Sequence, residues 1–284
     1  MSLFSPIGRP RVMGIVNVTP DSFSDGGRFL ATDDAVAHGR RLLAQGADLL
    51  DIGGESTRPG ATRPLVADEL ARVVPVIEEL AADGAVISVD TMRAEVARAA
   101  VGAGAAIVND VSGGLADPAI LEAVAESGAA YVAMHWRAHS TEMQKAEMLD
   151  YPGGVVEDVC AELMQRVEAC RAAGIPDDRL VLDPGLGFSK TADQNWQVVA
   201  GLPRFAELGF PLLVGASRKT FLGRLLGELD GTPDTLRPIP DRESAHTAVN
   251  VVLAQHDVWC TRVHDVRAAR DALAVVTKLR EVSR

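Results

Sequence analysis

Short runs of apolar residues recur along the chain and alternate with longer segments of mixed polarity. Each run is continuous rather than alternating, which indicates a strand buried on both faces. The runs comprise residues 12–16, 49–53, 86–89, 106–108, 130–134, 180–182, 210–214 and 258–263. The pattern therefore predicts eight buried β-strands.

The segments between these runs have helical periodicity, with apolar residues three or four positions apart, as in Leu70, Val73 and Ile77. Most end in a glycine, which readily adopts the left-handed conformation that terminates a helix. These glycines are Gly46, Gly84, Gly104, Gly128, Gly174 and Gly209. Eight strand-and-helix repeats predict a closed (β/α)8 TIM barrel, and an open doubly wound sheet is the alternative.

Two connections are longer than the repeat requires, and neither has the composition of an interdomain linker. They run from Trp136 to about Gly154 and from Leu229 to Arg242, and the second contains three prolines. We interpret both as loops outside the repeat, although the pattern offers no reason for the length of 229–240. Residues 1–284 are therefore predicted to form a single domain.

Composition and charge narrow the class of protein. The chain is 47% hydrophobic and 24% charged, which argues against disorder, and its formal net charge of −11 disfavours nucleic acid or an anionic membrane as the main partner. The three cysteines, Cys160, Cys170 and Cys260, lack metal-ligand spacing and are predicted to be buried thiols. Without an apolar run long enough for a signal peptide or membrane span, the sequence predicts a cytoplasmic protein.

Polar residues follow every predicted strand. They are Asn17, Glu55, Asp90, Asn109, Asp110, His135, Asp183, Ser217, Arg218, Lys219, Arg262, His264 and Asp265. In a (β/α)8 barrel the chemistry lies at these C-terminal strand ends. The ordinary alternative is that an Asp or Asn here caps the following helix.

One group of these residues consists mainly of hydrogen-bond acceptors. Asp90, Asn109 and Asp183 lie in apolar surroundings, where an unpaired carboxylate is unfavourable and requires N–H donors or a metal. Together with Lys219, they could hold a flat, amidine-like heterocycle. A divalent-metal cage is the competing interpretation, but no His-rich or Cys-rich set supports a structural zinc site.

A second group is cationic and comprises Arg58, Arg218, Lys219, Arg262 and His264. Guanidinium groups bind phosphate oxygens in bidentate fashion, so this group favours a small phosphorylated ligand. Solvated charges paired with nearby carboxylates are the alternative. The segment 215–220 lacks the glycine spacing of a phosphate loop, and 185–187 lacks the third glycine of a dinucleotide-binding motif.

The loops after the first two strands, residues 17–27 and 53–60, are rich in Gly, Pro, Ser and Asp. Such loops are often mobile, and these two are predicted to close over the C-terminal face of the barrel.

Eight stretches of the chain resemble, in order, the dihydropteroate synthases, which are pterin-binding enzymes of folate biosynthesis and targets of sulfonamides. The stretches are MGIVNVTPDSFSDGG at 13–27, GGESTRPG at 53–60, SVDT at 88–91, VNDVSG at 108–113, MH at 134–135, DPGLGFSK at 183–190, GASRK at 215–219 and RVHDV at 262–266. The resemblance implies a (β/α)8 barrel, in agreement with the repeat.

The resemblance also implies a reaction and its residues. In this family, 6-hydroxymethyl-7,8-dihydropterin diphosphate and 4-aminobenzoate give 7,8-dihydropteroate and diphosphate. Carried over by position, the pterin site comprises Asp90, Asn109, Met134, Asp183 and Lys219. The 4-aminobenzoate pocket, where sulfonamides compete, comprises Phe23, Thr57, Pro59, Phe188, Ser217 and Lys219, and Arg58 also binds substrate. Asn17 contacts the cofactor Mg²⁺, Arg262 and His264 hold diphosphate, and Asp25, Asp90, Asp183 and Lys219 are the catalytic groups.

The implied chemistry is an SN1-like displacement without a covalent protein nucleophile. Mg²⁺ and the cations stabilise the departing diphosphate, and Asp90 and Asp183 stabilise the cationic pterin. The family is usually a homodimer through late barrel helices. The face formed by Ala245, Val249, Val252 and Leu253 is a candidate contact, with packing in the monomer core as the alternative.

Other activities remain as alternatives. Methyltetrahydrofolate methyltransferases share the acceptor residues but lack the first loop and the Ser-Arg-Lys segment. A pterin-binding pseudoenzyme would lack groups in the loops or the anion site, whereas Asn17, Arg58, Lys219, Arg262 and His264 are all present. The sequence therefore favours the synthase.

Overall fold

Eight parallel strands form a closed barrel in the computed structural model, which describes residues 3–19, 28–55 and 63–283. The strands are β1 (Arg11–Asn17), β2 (Leu49–Gly53), β3 (Ile87–Asp90), β4 (Ile107–Asp110), β5 (Ala130–Met134), β6 (Leu180–Asp183), β7 (Leu213–Val214) and β8 (Cys260–Val263). Their order is β6-β5-β4-β3-β2-β1-β8-β7. A parallel bridge between Leu182 and Leu212 joins β6 to the residue before β7 and closes the barrel. The predicted (β/α)8 fold is confirmed, and the open sheet is wrong.

Helices follow the strands around the outside of the barrel. They are α1 (Arg28–Ala44), α2 (Val66–Ala82), α3 (Ala94–Gly102), α4 (Ala119–Ser127), α5 (Val155–Ala172), α6 (Ala192–Ala200), α7 (Leu202–Ala206), α8 (Thr220–Leu229), α9 (Glu243–Gln255) and α10 (Val266–Val282). Each long connection contains a 3₁₀ helix, at Ala146–Met148 and Ile239–Arg242 respectively. The first two βα loops lie partly outside the described residues, at 20–27 and 56–62.

All six glycines predicted to end helices have positive φ, between +75° at Gly128 and +114° at Gly104. At each of these positions a left-handed residue turns the chain from the end of a helix into the next strand, which an L side chain would disfavour. The glycine pattern is thus a direct consequence of the repeated helix-to-strand turn.

The strand boundaries differ from prediction where barrel pairing is short. The run at 210–214 contributes only Leu213 and Val214 to β7, because β7 pairs with β8 at just those two residues. By contrast, β3, β4 and β6 each extend through a terminal aspartate, namely Asp90, Asp110 and Asp183. These aspartates are therefore held by strand backbone at the mouth of the barrel.

The apolar core has two parts. A larger cluster lies between the strands and the surrounding helices, and a smaller one that includes Met13, Leu49 and Val132 gathers residues from strands around the barrel. Cys160, Cys170 and Cys260 are buried free thiols, as predicted. No helix among the described residues is long and apolar enough to cross a membrane.

Candidate active site

A cavity of about 910 Å³ opens at the C-terminal ends of the strands. Ten predicted site residues line it: Asn17, Asp90, Asn109, Met134, Asp183, Phe188, Ser217, Lys219, Arg262 and His264. The other five, Phe23, Asp25, Thr57, Arg58 and Pro59, lie outside the described residues. The barrel thus gathers every predicted residue that the structure describes.

The strand register places the acceptor groups side by side. Asp90 of β3 pairs with Asn109 of β4, and Met134 of β5 pairs with Asp183 of β6. All four side chains are buried. Asp90, Met134 and Asp183 occupy the last positions of their strands, and Asn109 the position before the last. Their side chains therefore meet at one end of the barrel.

Arg262 of β8 connects two buried carboxylates. Its Nε donates to Asp51 Oδ2 at 2.6 Å, and its Nη2 donates to Asp90 Oδ2 at 2.7 Å. Asn109 also donates to Asp51, at 3.1 Å. Burial raises the pKa of Asp90, and the neighbouring Arg262 charge opposes this increase. The guanidinium of Arg262 is thus paired with both carboxylates.

Asp183 is held by a hydrogen bond from the backbone and faces the cavity. Its Oδ1 accepts from the Gly185 N–H at 2.7 Å, and burial raises the pKa of Asp183 to about 6 although Lys219 and Lys190 oppose the shift. Burial lowers the pKa of Lys219 to about 8. The Lys219 Nζ lies 4.3 Å from the centre of the Phe188 ring, which places ammonium, carboxylate and aromatic ring around one volume.

His264 contributes hydrogen bonds rather than charge. Its Nδ1 lies 2.9 Å from Ser217 Oγ, and its backbone N–H donates to the same oxygen at 3.3 Å. Burial, followed by the charges of Arg218 and Arg262, lowers the pKa of His264 to about 2. The sequence grouped His264 with the cations, whereas its buried surroundings and the neighbouring Arg218 and Arg262 favour the neutral imidazole.

The model of the pterin binding enzyme family matches residues 13–264 of this chain. The chain is 53% identical over 266 residues to a dihydropteroate synthase of Mycobacterium leprae, with 94% of this chain and 92% of that protein covered. The chain belongs to the dihydropteroate synthase family.

Solved structures of dihydropteroate synthases have the same fold. The Xanthomonas albilineans enzyme with 4-aminobenzoic acid is 48% identical and superposes with a TM-score of 0.85, covering 96% of this chain and 93% of that one. The same enzyme in complex with 7,8-dihydropteroate is 45% identical, with a TM-score of 0.82 and coverage of 96% and 94%.

Asp51 is a member of this dihydropteroate synthase site that the sequence analysis missed. It lies inside β2 rather than after it, and its side chain is fully buried. An acidic residue inside an otherwise apolar strand was the available signal, because a buried carboxylate requires a partner. The partner itself, Arg262, lies at the other end of the sequence.

A second buried group beside the dihydropteroate synthase site was also missed. Glu69 of α2 is fully buried, accepts from Thr91 Oγ1 at 2.6 Å and lies 3.1 Å from Arg93 Nη1. Burial raises the pKa of Glu69. Arg93 also donates to the Pro64 carbonyl at 2.6 Å, so this group attaches α2 to the residues that follow the second βα loop.

Proposed function

We infer that the protein is a dihydropteroate synthase of folate biosynthesis, which joins 4-aminobenzoate to the methylene carbon of 6-hydroxymethyl-7,8-dihydropterin diphosphate. The products are 7,8-dihydropteroate and diphosphate. The observation that supports this most directly is that the buried Asp183 and Asn109 and the half-buried Lys219 line one cavity. The M. leprae relative has this enzyme's name, and the X. albilineans enzyme has been solved with 7,8-dihydropteroate.

The pterin ring supplies the donors that the buried acceptors lack. Asp183 Oδ1 is occupied by the Gly185 N–H, and the 2-amino and ring N–H groups of a pterin can donate to the rest of the carboxylate. Lys219 and Asn109 can bind the ring's acceptor atoms from the other strands. Binding therefore replaces the solvation that burial removes from these groups.

The reaction requires the protein to stabilise charge and does not require a covalent protein nucleophile. The C–O bond between the methylene carbon and the diphosphate breaks, and its electron pair leaves on the diphosphate oxygen. Asp183 and Asp90 favour the cationic pterin, and Arg262 and His264 line the cavity with N–H donors suited to diphosphate oxygens. The 4-aminobenzoate amine then attacks the carbon and loses a proton.

We propose Mg²⁺ as the cofactor, with Asn17 as a protein ligand. Among the described residues no group of three or more His, Cys, Asp or Glu side chains could hold a metal by itself. Asn17, at the end of β1, offers a half-buried amide oxygen to the cavity, which fits an ion that binds few protein ligands and completes its shell with phosphate and water. Bound with the substrate, the ion would neutralise diphosphate charge.

We also propose a homodimer in which a second copy covers α10. Val275, Leu279 and Val282 are exposed to 60%, 60% and 68% and share one face of this helix. By contrast, Val249 and Leu253 of the predicted contact face are buried in the monomer core. A cytoplasmic location accords with the three free thiols, since disulfides are rare in reducing compartments.

Diphosphate release with dihydropterin diphosphate and Mg²⁺, with and without 4-aminobenzoate, tests the function. The natural protein is expected to release diphosphate and form dihydropteroate only when both substrates are present. Asp183→Asn should lower kcat/KM by about 10²-fold or more, because it removes a preorganised charge from the developing cation. Asp178→Asn, at an exposed residue two positions before the same strand, is the matched control and should keep full activity.

One result would contradict this function, and a second would contradict only the role of Asp183. Tight pterin binding without turnover by the natural protein would indicate a pterin-binding pseudoenzyme. Full turnover by Asp183→Asn would remove this carboxylate from the mechanism while leaving the reaction itself in place.

A further inference from the structure

Lys190 is a buried lysine to which the reaction gives no role. It ends the loop between β6 and α6, is only 3% exposed and lies at the edge of the cavity. Its Nζ lies 3.0 Å from His135 Nδ1, 3.1 Å from the Gly185 carbonyl oxygen and 3.2 Å from the Phe188 carbonyl oxygen. An ammonium has three hydrogens, and here it meets three acceptors.

These contacts determine how His135 is protonated. Burial lowers the pKa of His135 to about 4, so the imidazole is neutral at physiological pH. Since Nδ1 accepts from Lys190, Nε2 carries the hydrogen and donates to Glu162 Oε2 of α5 at 2.9 Å. Arg137 donates to the same Glu162 oxygen at 3.1 Å. A chain of hydrogen bonds thus runs from the loop through Lys190 and His135 to the outer helix.

The loop that Lys190 holds has an unusual backbone. Gly185, Gly187 and Ser189 have φ values of +70°, +81° and +45°, and the left-handed region is unfavourable for a serine. The Ser189 carbonyl also accepts from the Tyr151 hydroxyl at 2.7 Å. A backbone with three left-handed residues in five requires outside contacts to keep one conformation, and Lys190 and Tyr151 provide them.

The same loop positions two groups of the proposed site. The Gly185 N–H orients the Asp183 carboxylate, and the Phe188 ring contacts Lys219. Lys190 binds the carbonyl groups of both Gly185 and Phe188. Displacement of its ammonium would therefore move the acceptor that faces the pterin and the ring that borders the 4-aminobenzoate pocket.

We propose that Lys190 is a positioning residue whose ammonium, oriented by His135 and Glu162, fixes the β6–α6 loop so that Asp183 and Phe188 face the two substrates. This inference rests on the proposed function, because it takes the substrates from it. The charge of Lys190 also favours the ionised form of Asp183, which is the form that binds pterin donors.

Several titratable or charged groups surround Lys190 and determine the pH dependence. They are His135 and Arg137 in the loop after β5, Glu162 of α5, Asp183 of β6 and Lys219 before α8. Burial lowers the pKa of Lys190 to about 7, with Asp183 opposing the shift. Below this pH the ammonium is present, in the range where Asp183 takes up its proton. Loss of the ammonium should therefore move the acidic limb of the kcat/KM profile to higher pH.

The test compares Lys190→Met with Lys145→Met, an exposed lysine of the β5–α5 connection that pairs with Glu142. Both variants and the natural protein are assayed for kcat, for KM of each substrate and for the pH profile of kcat/KM. Lys190→Met is expected to lower kcat/KM about tenfold or more and to move the acidic limb to higher pH. Lys145→Met should match the natural protein.

Two further variants separate positioning from simple loss of structure. Glu162→Gln keeps Lys190 but weakens the orientation of His135. It is expected to raise the KM of both substrates, by less than Lys190→Met does. Lys190→Arg keeps the positive charge but not the three contacts of the ammonium. Its kcat/KM profile should have the acidic limb of the natural protein, whereas its KM values should remain raised. If Lys190→Met does not fold, these two variants carry the test.

An unmoved acidic limb in Lys190→Met would overturn the proposal, whether or not kcat also falls, because a merely structural lysine changes activity without changing Asp183 ionisation. Native KM values in both Lys190→Arg and Glu162→Gln would also overturn it. Failure of the reaction itself is recognised separately, since the natural protein and Lys145→Met would then both be inactive.

Discussion

Polar side chains at the mouth of the barrel form hydrogen bonds between strands that are distant in sequence. Arg262 of β8 donates to Asp51 of β2 and Asp90 of β3, and Asn109 of β4 donates to Asp51. A buried carboxylate is tolerated only with such partners. Asp51 therefore orients both a guanidinium and an amide that face the cavity, although Asp51 itself does not line it.

Replacement of Asp51 should reveal this positioning role. Asp51→Asn is expected to raise KM for the dihydropterin substrate and to lower the free energy of unfolding by about 3 kcal/mol, because removing one partner of a buried ion pair leaves the other without full compensation. Steady-state kinetics and urea unfolding measure the two effects.

Asp48→Asn is the matched control for this change. Asp48 precedes the same strand at the opposite end of the barrel and pairs with Arg9 at 2.6 Å. Its replacement should lower stability without altering KM. If Asp51→Asn also kept the natural KM, Asp51 would be a structural residue only.

The turn from a helix into the next strand recurs along this chain with a glycine of positive φ. Two of these glycines, Gly84 and Gly104, differ in the atoms around them. Gly84 has φ of +85°, and a Cβ built there meets no atom within 4 Å. Gly104 has φ of +114°, and its Cβ would lie 2.7 Å from the Ala81 Cβ of the neighbouring helix α2.

Alanine at these two positions should separate backbone strain from steric clash. Gly84→Ala is expected to lower the free energy of unfolding by about 1 kcal/mol, which is the cost of a left-handed alanine. Gly104→Ala adds the clash with Ala81 and should lose about 2 kcal/mol or more. Urea denaturation of both variants measures the difference, and equal losses would mean that α2 and α3 adjust to admit the methyl group.

Elements of this fold could be predicted because each depends on local sequence. A continuous apolar run is sufficient to predict β1, and such a run with a preceding glycine is sufficient for the strands from β2 to β6. The strand β7 was also predicted, but its short length could not be, since it depends on pairing with β8 at Leu213 and Val214 and not on its own residues. The 3₁₀ helices in the long connections lack any apolar period and were missed for that reason.

At the scale of the whole molecule, closure of the barrel is what converts strand-end residues into a site. Asp90, Asn109 and Asp183 could be predicted to converge because parallel strands end at one face. Their partners could not, since Arg262 and Asp51 are separated by 211 positions and meet only through barrel closure. Lys190 belongs to the DPGLGFSK stretch, but its contact with His135 depends on a loop conformation that the sequence does not specify.

The exposed apolar face of α10 predicts that two copies of the chain associate through this helix. Val275, Leu279 and Val282 would gain favourable burial against a second copy, and a symmetric pair of α10 helices would bury the same three residues twice. Sedimentation velocity is expected to give the mass of two chains for the natural protein. Leu279→Glu places a charge in each half of this contact and should raise the dimer dissociation constant about tenfold or more.

Leu65→Glu introduces the same charge at a leucine that is 74% exposed beside α2, far along the chain from α10, and should leave the dimer intact. None of the described residues that line the active-site cavity belongs to α10, so a monomeric Leu279→Glu should retain turnover if the barrel alone suffices for catalysis. A monomeric natural protein, or a dimer unchanged by Leu279→Glu, would show that α10 is not the contact. Loss of turnover in step with dissociation would instead mean that dimerisation stabilises the late βα units, which hold Lys219 and Arg262.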